Sequence, residues 1–306
     1  MINIDDIRKS FRGRFSVNEP LEKYTSFRIG GPADLYLEPA DQNDLIEVVK
    51  FLHEHSVQFT MIGNGSNLLI SDDGIRGAVI NLESGLCSIK LVGEKVVVEA
   101  GVRMAKFVDF CIQNSLKGTE MLAGIPGTIG GGIVMNAGAY GGEIADHLTE
   151  VKVLRESAVV AVPKSEAGFS YRTSNFRGEI VLEATFALPP GDKQELERRR
   201  RELLLKRNES QPVNLPNSGS VFKNPPGTYA ARLVEEAGLK GTRAGKAQIS
   251  ERHSNFIVNV GGARAHDVLE LMLSMRTAVY EKFRVKLEPE VRLLGFPKEV
   301  YERLYS

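Results

Sequence analysis

Three loop-like segments carry polar side chains suited to proton transfer and anion recognition. "SYRTSNFRG" holds Tyr171, Arg172 and Arg177; "NSGSVFKNPPG" holds Ser218, Ser220, Lys223 and Asn224; "LEPEVRLLG" holds Glu290 and Arg292 at the start of a strand. An arginine can meet a carboxylate through two parallel N–H bonds. A serine hydroxyl can donate or accept a hydrogen bond, and a glutamate can be charged or neutral depending on its burial. Each group also has a plain use in ion pairing, turn capping or an exposed sheet edge. Loops are nevertheless where functional groups tend to sit.

A fourth segment, "AGIPGTIGGGIVMNAGAYGG" (123–142), holds eight glycines in twenty positions. Glycine permits positive φ and close approach of other groups to the backbone. A cluster of them offers a row of backbone N–H groups that can cradle phosphate oxygens. Ile125, Ile129, Ile133, Val134 and Met135 argue against a flexible linker. A second glycine turn opens "GNGSNLLI" with Gly63-x-Gly65. The dinucleotide fingerprint it invites needs a helix opening at the glycines, whereas "GIRGAVINL" and "KVVVEAGV" read as strands, so a Rossmann fold is disfavoured.

These segments must be held by regular elements. Leu45, Val48, Val49 and Leu52 share one helical face in 41–56, and the strand "VQFTMI" follows. Residues 102–116 repeat Val102, Ala105, Val108 and Ile112 at helical spacing. Two segments rich in β-branched residues, 149–163 and 179–190, close at Pro189 and Pro190. A charged helix then begins, with Glu195–Arg199 and Glu197–Arg201 at i,i+4 spacing. That shift in composition marks a domain boundary near residue 190. Beyond it come a loop (210–227), a short helix, the strand "NFIVNV", a long helix (265–283) and the strand "VRLLGF". The class is α+β.

Composition narrows the partners. The 306 residues suit more than one domain, and 39 acidic against 39 basic residues leave no net field for nucleic acid or an anionic membrane. The N-terminal stretch lacks an apolar core of leader length, and no run approaches a membrane span, so a cytoplasmic location is expected. Cys87 and Cys111 fit neither a disulfide framework nor a metal site.

Taken in order, "YTSFRIGGPAD", "MIGNGSNLLI", "GIPGTIGGGIVMNAGAYG", "SYRTSNFRG", "GSVFKNPPG" and "LEPEVRLLG" resemble the signatures of the UDP-N-acetylenolpyruvoylglucosamine reductase family over nearly the whole chain. The resemblance implies an FAD-binding module of the vanillyl-alcohol-oxidase type, in two subdomains at 1–84 and 85–190, ahead of a C-terminal α+β substrate domain at 191–306. It implies NADPH-dependent reduction of a UDP-sugar enol ether in peptidoglycan precursor synthesis, with no obligate protein partner and no metal. FAD would be wrapped by Gly63, Asn64, Gly65, Ser66 and Asn67, and by Gly124, Ile125, Pro126, Gly127, Thr128, Gly130, Gly131, Asn136, Ala137, Gly138, Ala139 and Tyr140. His53, His55, His147, His253 and His266 all lie outside those segments, so the FAD is expected to be noncovalent.

By motif, Ser220 matches the family's proton donor, and Arg172 and Glu290 match its other catalytic positions. The resemblance implies hydride delivery to C3 of the enolpyruvyl group, with charge building at C2 and the carboxylate. Arg172 suits that charge, and the C2 carbanion is basic enough to take the Ser220 proton. Glu290 is either protonated by burial or orients Arg172 or a water, and both readings stay open. The chain matches the shorter type of the family, with no room after "YR" for a tyrosine-bearing insertion. Tyr171, Lys223, Asn224 and Tyr229 are the expected substrate contacts. Two other readings share the FAD segments: an FAD oxidase of a sugar or hydroxy acid, which need not carry "GSVFKNP" and "PEVR", and a noncatalytic nucleotide-sugar sensor, which would bind without turnover.

Overall fold

A computed structural model describes residues 11–305, and the reading of residues 1–10 as lacking a leader lies outside them. Strands and helices alternate irregularly along the described chain, an α+β arrangement. Two compact units are each assembled from separated stretches. One comprises the segment ending at Val17, Leu35–Asn64 and Gly77–Lys206; the other comprises Asn18–Asp34, Gly65–Arg76 and the chain from Arg207 onward.

In the first unit an antiparallel five-stranded sheet runs in the order Ala158–Pro163, Leu148–Arg155, Ile180–Ala187, Lys95–Glu99, Ile89–Val92. Its strands alternate as a half-buried sheet should: Val151 and Val153 are fully buried while Arg155 is exposed. Phe59–Ile62 pairs parallel with Ile75–Asn81, Phe59 opposite Ala78. Helix Gln42–Glu54, capped by Asp41 through the Asp44 N–H, buries the expected face of Leu45, Val48, Val49 and Leu52. Each such side chain contributes about 1.5–3 kcal/mol. The next helix, Met104–Gln113, departs in detail: it buries Met104, Phe107, Val108, Cys111 and Ile112, and Ala105 is exposed. Both sheets and both helices supply one hydrophobic cluster.

The charged helix Lys193–Ser210 begins near the compositional break, yet the change of unit falls between Lys206 and Arg207. Buried Leu196 joins the first unit's cluster, and Arg200 pairs with Asp109 at 2.7 Å, which together hold the helix there. The expected i,i+4 pairs give way to Arg198 bridging Glu195 and Glu202. These side chains are about half exposed, and such pairs contribute little to stability.

The second unit packs helices Ala230–Glu236, Ala265–Phe283 and Lys298–Tyr305 with a three-stranded sheet of Arg243–Ala244, Ala247–Ile249 and Ile257–Asn259. Leu68–Ile70 lies parallel to Arg292–Leu294. Asp72 accepts the N–H groups of Ala265 and His266 at 2.9 and 3.2 Å, placing a carboxylate at the start of the long helix. Among the described residues no helix is long and apolar enough to cross a membrane.

Candidate functional site

The two glycine segments meet within the first unit. Gly63 ends the strand Phe59–Ile62, and a Cβ there would lie 2.3 Å from Thr128 Oγ1. The Gly63 carbonyl accepts from Asn81 Nδ2 at 3.3 Å. Glu83 then links both segments, accepting Asn64 Nδ2 at 3.4 Å and Arg103 Nε at 2.8 Å, while the Gly127 carbonyl accepts the Met104 N–H at 2.9 Å. The turn after Gly63 leads into strand Leu68–Ile70 rather than a helix, as expected. Gly65, in the second unit, has φ +63, and a Cβ there would lie 2.0 Å from Tyr24 O.

The long glycine segment is not bare loop throughout. Ile129–Val134 forms a short helix capped by Thr128, and Ile129 and Ile133 are fully buried. Tertiary burial there overrides the poor helix propensity of Gly130, Gly131 and Gly132. The Gly130 N–H is bonded to Ala100 O at 2.8 Å and the Gly131 N–H faces Thr128 Oγ1 at 3.4 Å. The N–H of Ile125 bonds Leu122 O, and Pro126 has none. Gly124 and Gly127, both half-exposed with positive φ, have N–H groups that bond no acceptor among the described residues. Gly138–Ala139 forms a small ladder with Gly142–Glu143, Ala137 is tied to Gly132, and the Tyr140 hydroxyl donates to Leu203 O at 3.3 Å.

Asn136 is fully buried with φ +44. Its Nδ2 donates to Glu143 Oε2 at 2.7 Å and Ser170 O at 3.1 Å, while Oδ1 has no hydrogen-bond partner among the described residues. Arg172, at φ +56, donates to Gly138 O at 2.9 Å and lies 5.1 Å from the ring of Tyr171, which is 46% exposed.

In the second unit, one irregular ladder assembles the other candidates. Ser220 bridges Phe256, and Phe222 bridges Pro289. The Val221 carbonyl accepts the Glu290 N–H at 2.9 Å, and the Glu290 carbonyl accepts Asn67 Nδ2 at 3.1 Å. Asn67, Glu290 and the segment bearing Ser220 are thereby brought together. Ser220 is half-buried, and its hydroxyl makes no hydrogen bond among the described residues. Ser218 is buried, and its hydroxyl has no hydrogen-bond partner among the described residues. Lys223 Nζ pairs with Glu288 at 2.5 Å. Asn224 Oδ1 accepts the Ala230 N–H at 3.1 Å, which is a capping use, and Tyr229 is 68% exposed at the start of that helix.

Sequence reasoning missed Glu83, Arg103 and Asn255. Buried Asn255 donates to Phe222 O at 2.7 Å and accepts the Phe222 N–H at 3.1 Å, so its carboxamide stands in for a strand edge beside Ser220. No local signal marks it. Among the described residues no group of three or more His, Cys, Asp or Glu could hold a metal.

The fit to a dinucleotide cofactor follows from these features. Free Gly124 and Gly127 amides suit phosphate oxygens, and the buried Asn136 Oδ1 needs a donor. A family model described as "FAD binding domain" matches residues 33–161, so the class is an FAD-binding flavoprotein. A second, described as "UDP-N-acetylenolpyruvoylglucosamine reductase, C-terminal domain", matches residues 211–294. The chain is 44% identical to the UDP-N-acetylenolpyruvoylglucosamine reductase of Chloroherpeton thalassium, covering 98% of this chain and 99% of that one. It is 42% identical to the same-named protein of Caldanaerobacter subterraneus subsp. tengcongensis over 96% and 98% of the two chains. The solved reductase of Thermus caldophilus matches with a TM-score of 0.81 and 37% identity, covering 93% and 99%. The chain belongs to the UDP-N-acetylenolpyruvoylglucosamine reductase family.

Proposed function

We infer that the protein reduces UDP-N-acetylglucosamine enolpyruvate to UDP-N-acetylmuramate with NADPH, as an FAD-dependent oxidoreductase of peptidoglycan precursor synthesis. The observation that carries this reading is the full-length similarity to reductases of that name, at 44% and 42% identity. By motif, Gly63, Asn64, Gly65, Ser66, Asn67, the Gly124–Thr128 stretch and Asn136 would hold the cofactor. Bound FAD would take two electrons from NADPH and supply them as hydride to the enolpyruvyl double bond.

The chain's own residues supply the rest. Arg172 binds the substrate carboxylate and stabilises the charge that builds there, and a preorganised donor of this kind is worth about 3–4 kcal/mol. Its guanidinium is steadied by Gly138 O and the Tyr171 ring. Ser220 gives its proton to C2 and regains one from water. Glu290, its backbone held between Val221 and Asn67, acts as an acid or orients Arg172 or a water. Tyr171, Lys223, Asn224 and Tyr229 contact the UDP-sugar.

The FAD is held noncovalently. The reaction lies in the cytoplasm, and the protein acts on small molecules without nucleic acid or an obligate protein partner. The proposed domains are FAD-binding subdomains at 1–84 and 85–190 and a C-terminal substrate-binding domain at 191–306, while the compact units are interleaved along the chain. The test is direct. The purified protein is yellow and releases FAD on acid denaturation; NADPH bleaches it and UDP-N-acetylglucosamine enolpyruvate restores the colour. Bleaching followed by recovery with oxygen alone, and none with this substrate, would replace the reading with an oxidase; binding of the substrate with no colour change would replace it with a sensor.

A further inference from the structure

The turn bearing Arg172 is laced to the glycine segment by three side-chain bonds at alternate residues. Ser174 Oγ donates to Val134 O at 3.0 Å, Asn136 Nδ2 to Ser170 O at 3.1 Å, and Arg172 to Gly138 O at 2.9 Å. The turn itself is tight, with Ser170 and Thr173 exchanging both backbone bonds at 3.1 Å. Asn136 is the middle rung and differs from the others. It is fully buried, both of its N–H donors are used, and its Oδ1 has no partner among the described residues. Because Glu143 and Ser170 O both need donors, the amide cannot flip to satisfy Oδ1 without breaking two bonds. Its φ of +44 lies in a region that asparagine and aspartate tolerate better than most residues. A buried carboxamide held in this way fixes a backbone rather than fills space.

We propose that Asn136 is a positioning residue for Arg172, tying the turn that carries the guanidinium to the backbone of the cofactor segment. Asn136 itself belongs to the glycine segment that would hold the cofactor. Occupancy of the cofactor segment and placement of Arg172 are then coupled through one side chain. This rests on the catalytic reading of Arg172 given above.

Asn136→Asp keeps size and backbone tolerance but replaces the donor with an acceptor facing Glu143 and Ser170 O. Amide hydrogen exchange on the apoprotein reads the lacing without any turnover. Exchange across 170–174 is expected to rise at least about tenfold, an opening equivalent to about 1.4 kcal/mol. Asn136→Asp combined with Glu143→Gln removes the carboxylate clash and restores a donor between the two positions, so part of the protection should return. In FAD-loaded protein, recovery of flavin colour with substrate should slow by a larger factor than bleaching by NADPH, and Arg172→Ala should show the same split. Exchange at 170–174 unchanged in folded Asn136→Asp overturns the inference, as does equal slowing of both steps. If Arg172→Ala shows no split, the catalytic reading of Arg172 fails, and the exchange result still decides whether Asn136 holds the turn.

Discussion

Gly63 faces Thr128 so closely that a Cβ on the glycine would lie 2.3 Å from Thr128 Oγ1. That contact joins the short glycine turn to the long glycine segment, so the cradle depends on the absence of a side chain. Gly63→Val should displace Thr128, whose hydroxyl also caps the short helix. Gly65→Val meets Tyr24 O at 2.0 Å and forces a β-branched residue to φ +63. Titration of apoprotein with FAD should give at least about tenfold weaker binding in both, or about 1.4 kcal/mol. Parent affinity in both variants would mean that the cradle lies elsewhere.

Ser220→Ala separates the two halves of the reaction. Bleaching by NADPH involves no serine proton and should continue at close to the parent rate. Recovery with substrate should fall by about 10²- to 10⁴-fold, the usual worth of general-acid assistance. Stopped-flow absorbance follows both steps on one sample. Recovery at the parent rate, or slowing of both steps alike, would remove Ser220 from the proton-transfer role.

His253 lies in the loop that delivers Asn255 to Phe222 and Phe256 to its bridge with Ser220, edge-on to Phe256 with ring centroids 4.7 Å apart. Burial holds its imidazole below the ordinary value of 6.5. The unfolded chain therefore takes up a proton near pH 6.5 that the folded chain refuses. The contribution to stability is level above that pH and declines below it until the folded value is reached. The urea midpoint should fall more between pH 7.5 and 5.5 in the parent than in His253→Phe. Equal falls would show that His253 does not titrate on unfolding.

Cys111 sits on the buried face of helix Met104–Gln113, and burial pushes its thiol up to about 12. Since the thiolate is the reactive form, the native protein at pH 8 should show no labelling at Cys111, with modification confined to half-buried Cys87. Unfolding should release both. Mass spectrometry of labelled peptides decides it, and native labelling of Cys111 would contradict the burial described.

The helix Gln42–Glu54 was legible because four apolar residues at helical spacing follow an Asp cap, a pattern complete within the segment. The helix Ile129–Val134 was not, since glycine opposes it locally and the burial of Ile129 and Ile133 that supports it, beside the Thr128 cap, is a tertiary effect. Asn255 shows a second kind of opacity: its partner Phe222 is 33 residues away, so nothing nearby in the chain distinguishes it from a turn asparagine. The phosphate-cradle reading of 123–142 came from residue types, but the roles of Ser220, Arg172 and Glu290 came from family resemblance. A serine, an arginine and a glutamate on separate loops each have ordinary uses, and only their assembly tells those uses apart. Interleaving of the two units was also hidden, because hydrogen bonds such as Asp72 to Ala265 span 193 residues.

That interleaving reaches back to synthesis on the ribosome. Asn67 and its partner Glu290 are 223 residues apart, and among the described residues the strand beginning at Leu68 pairs only with the one beginning at Arg292. At about 5–20 residues per second, the early strand waits for about 10–45 s before its partner is made. Throughout that interval Leu69 and Ile70, wholly buried in the finished protein, lack their native cover. The nascent chain thus carries, for most of its synthesis, two apolar side chains whose covering partner does not yet exist.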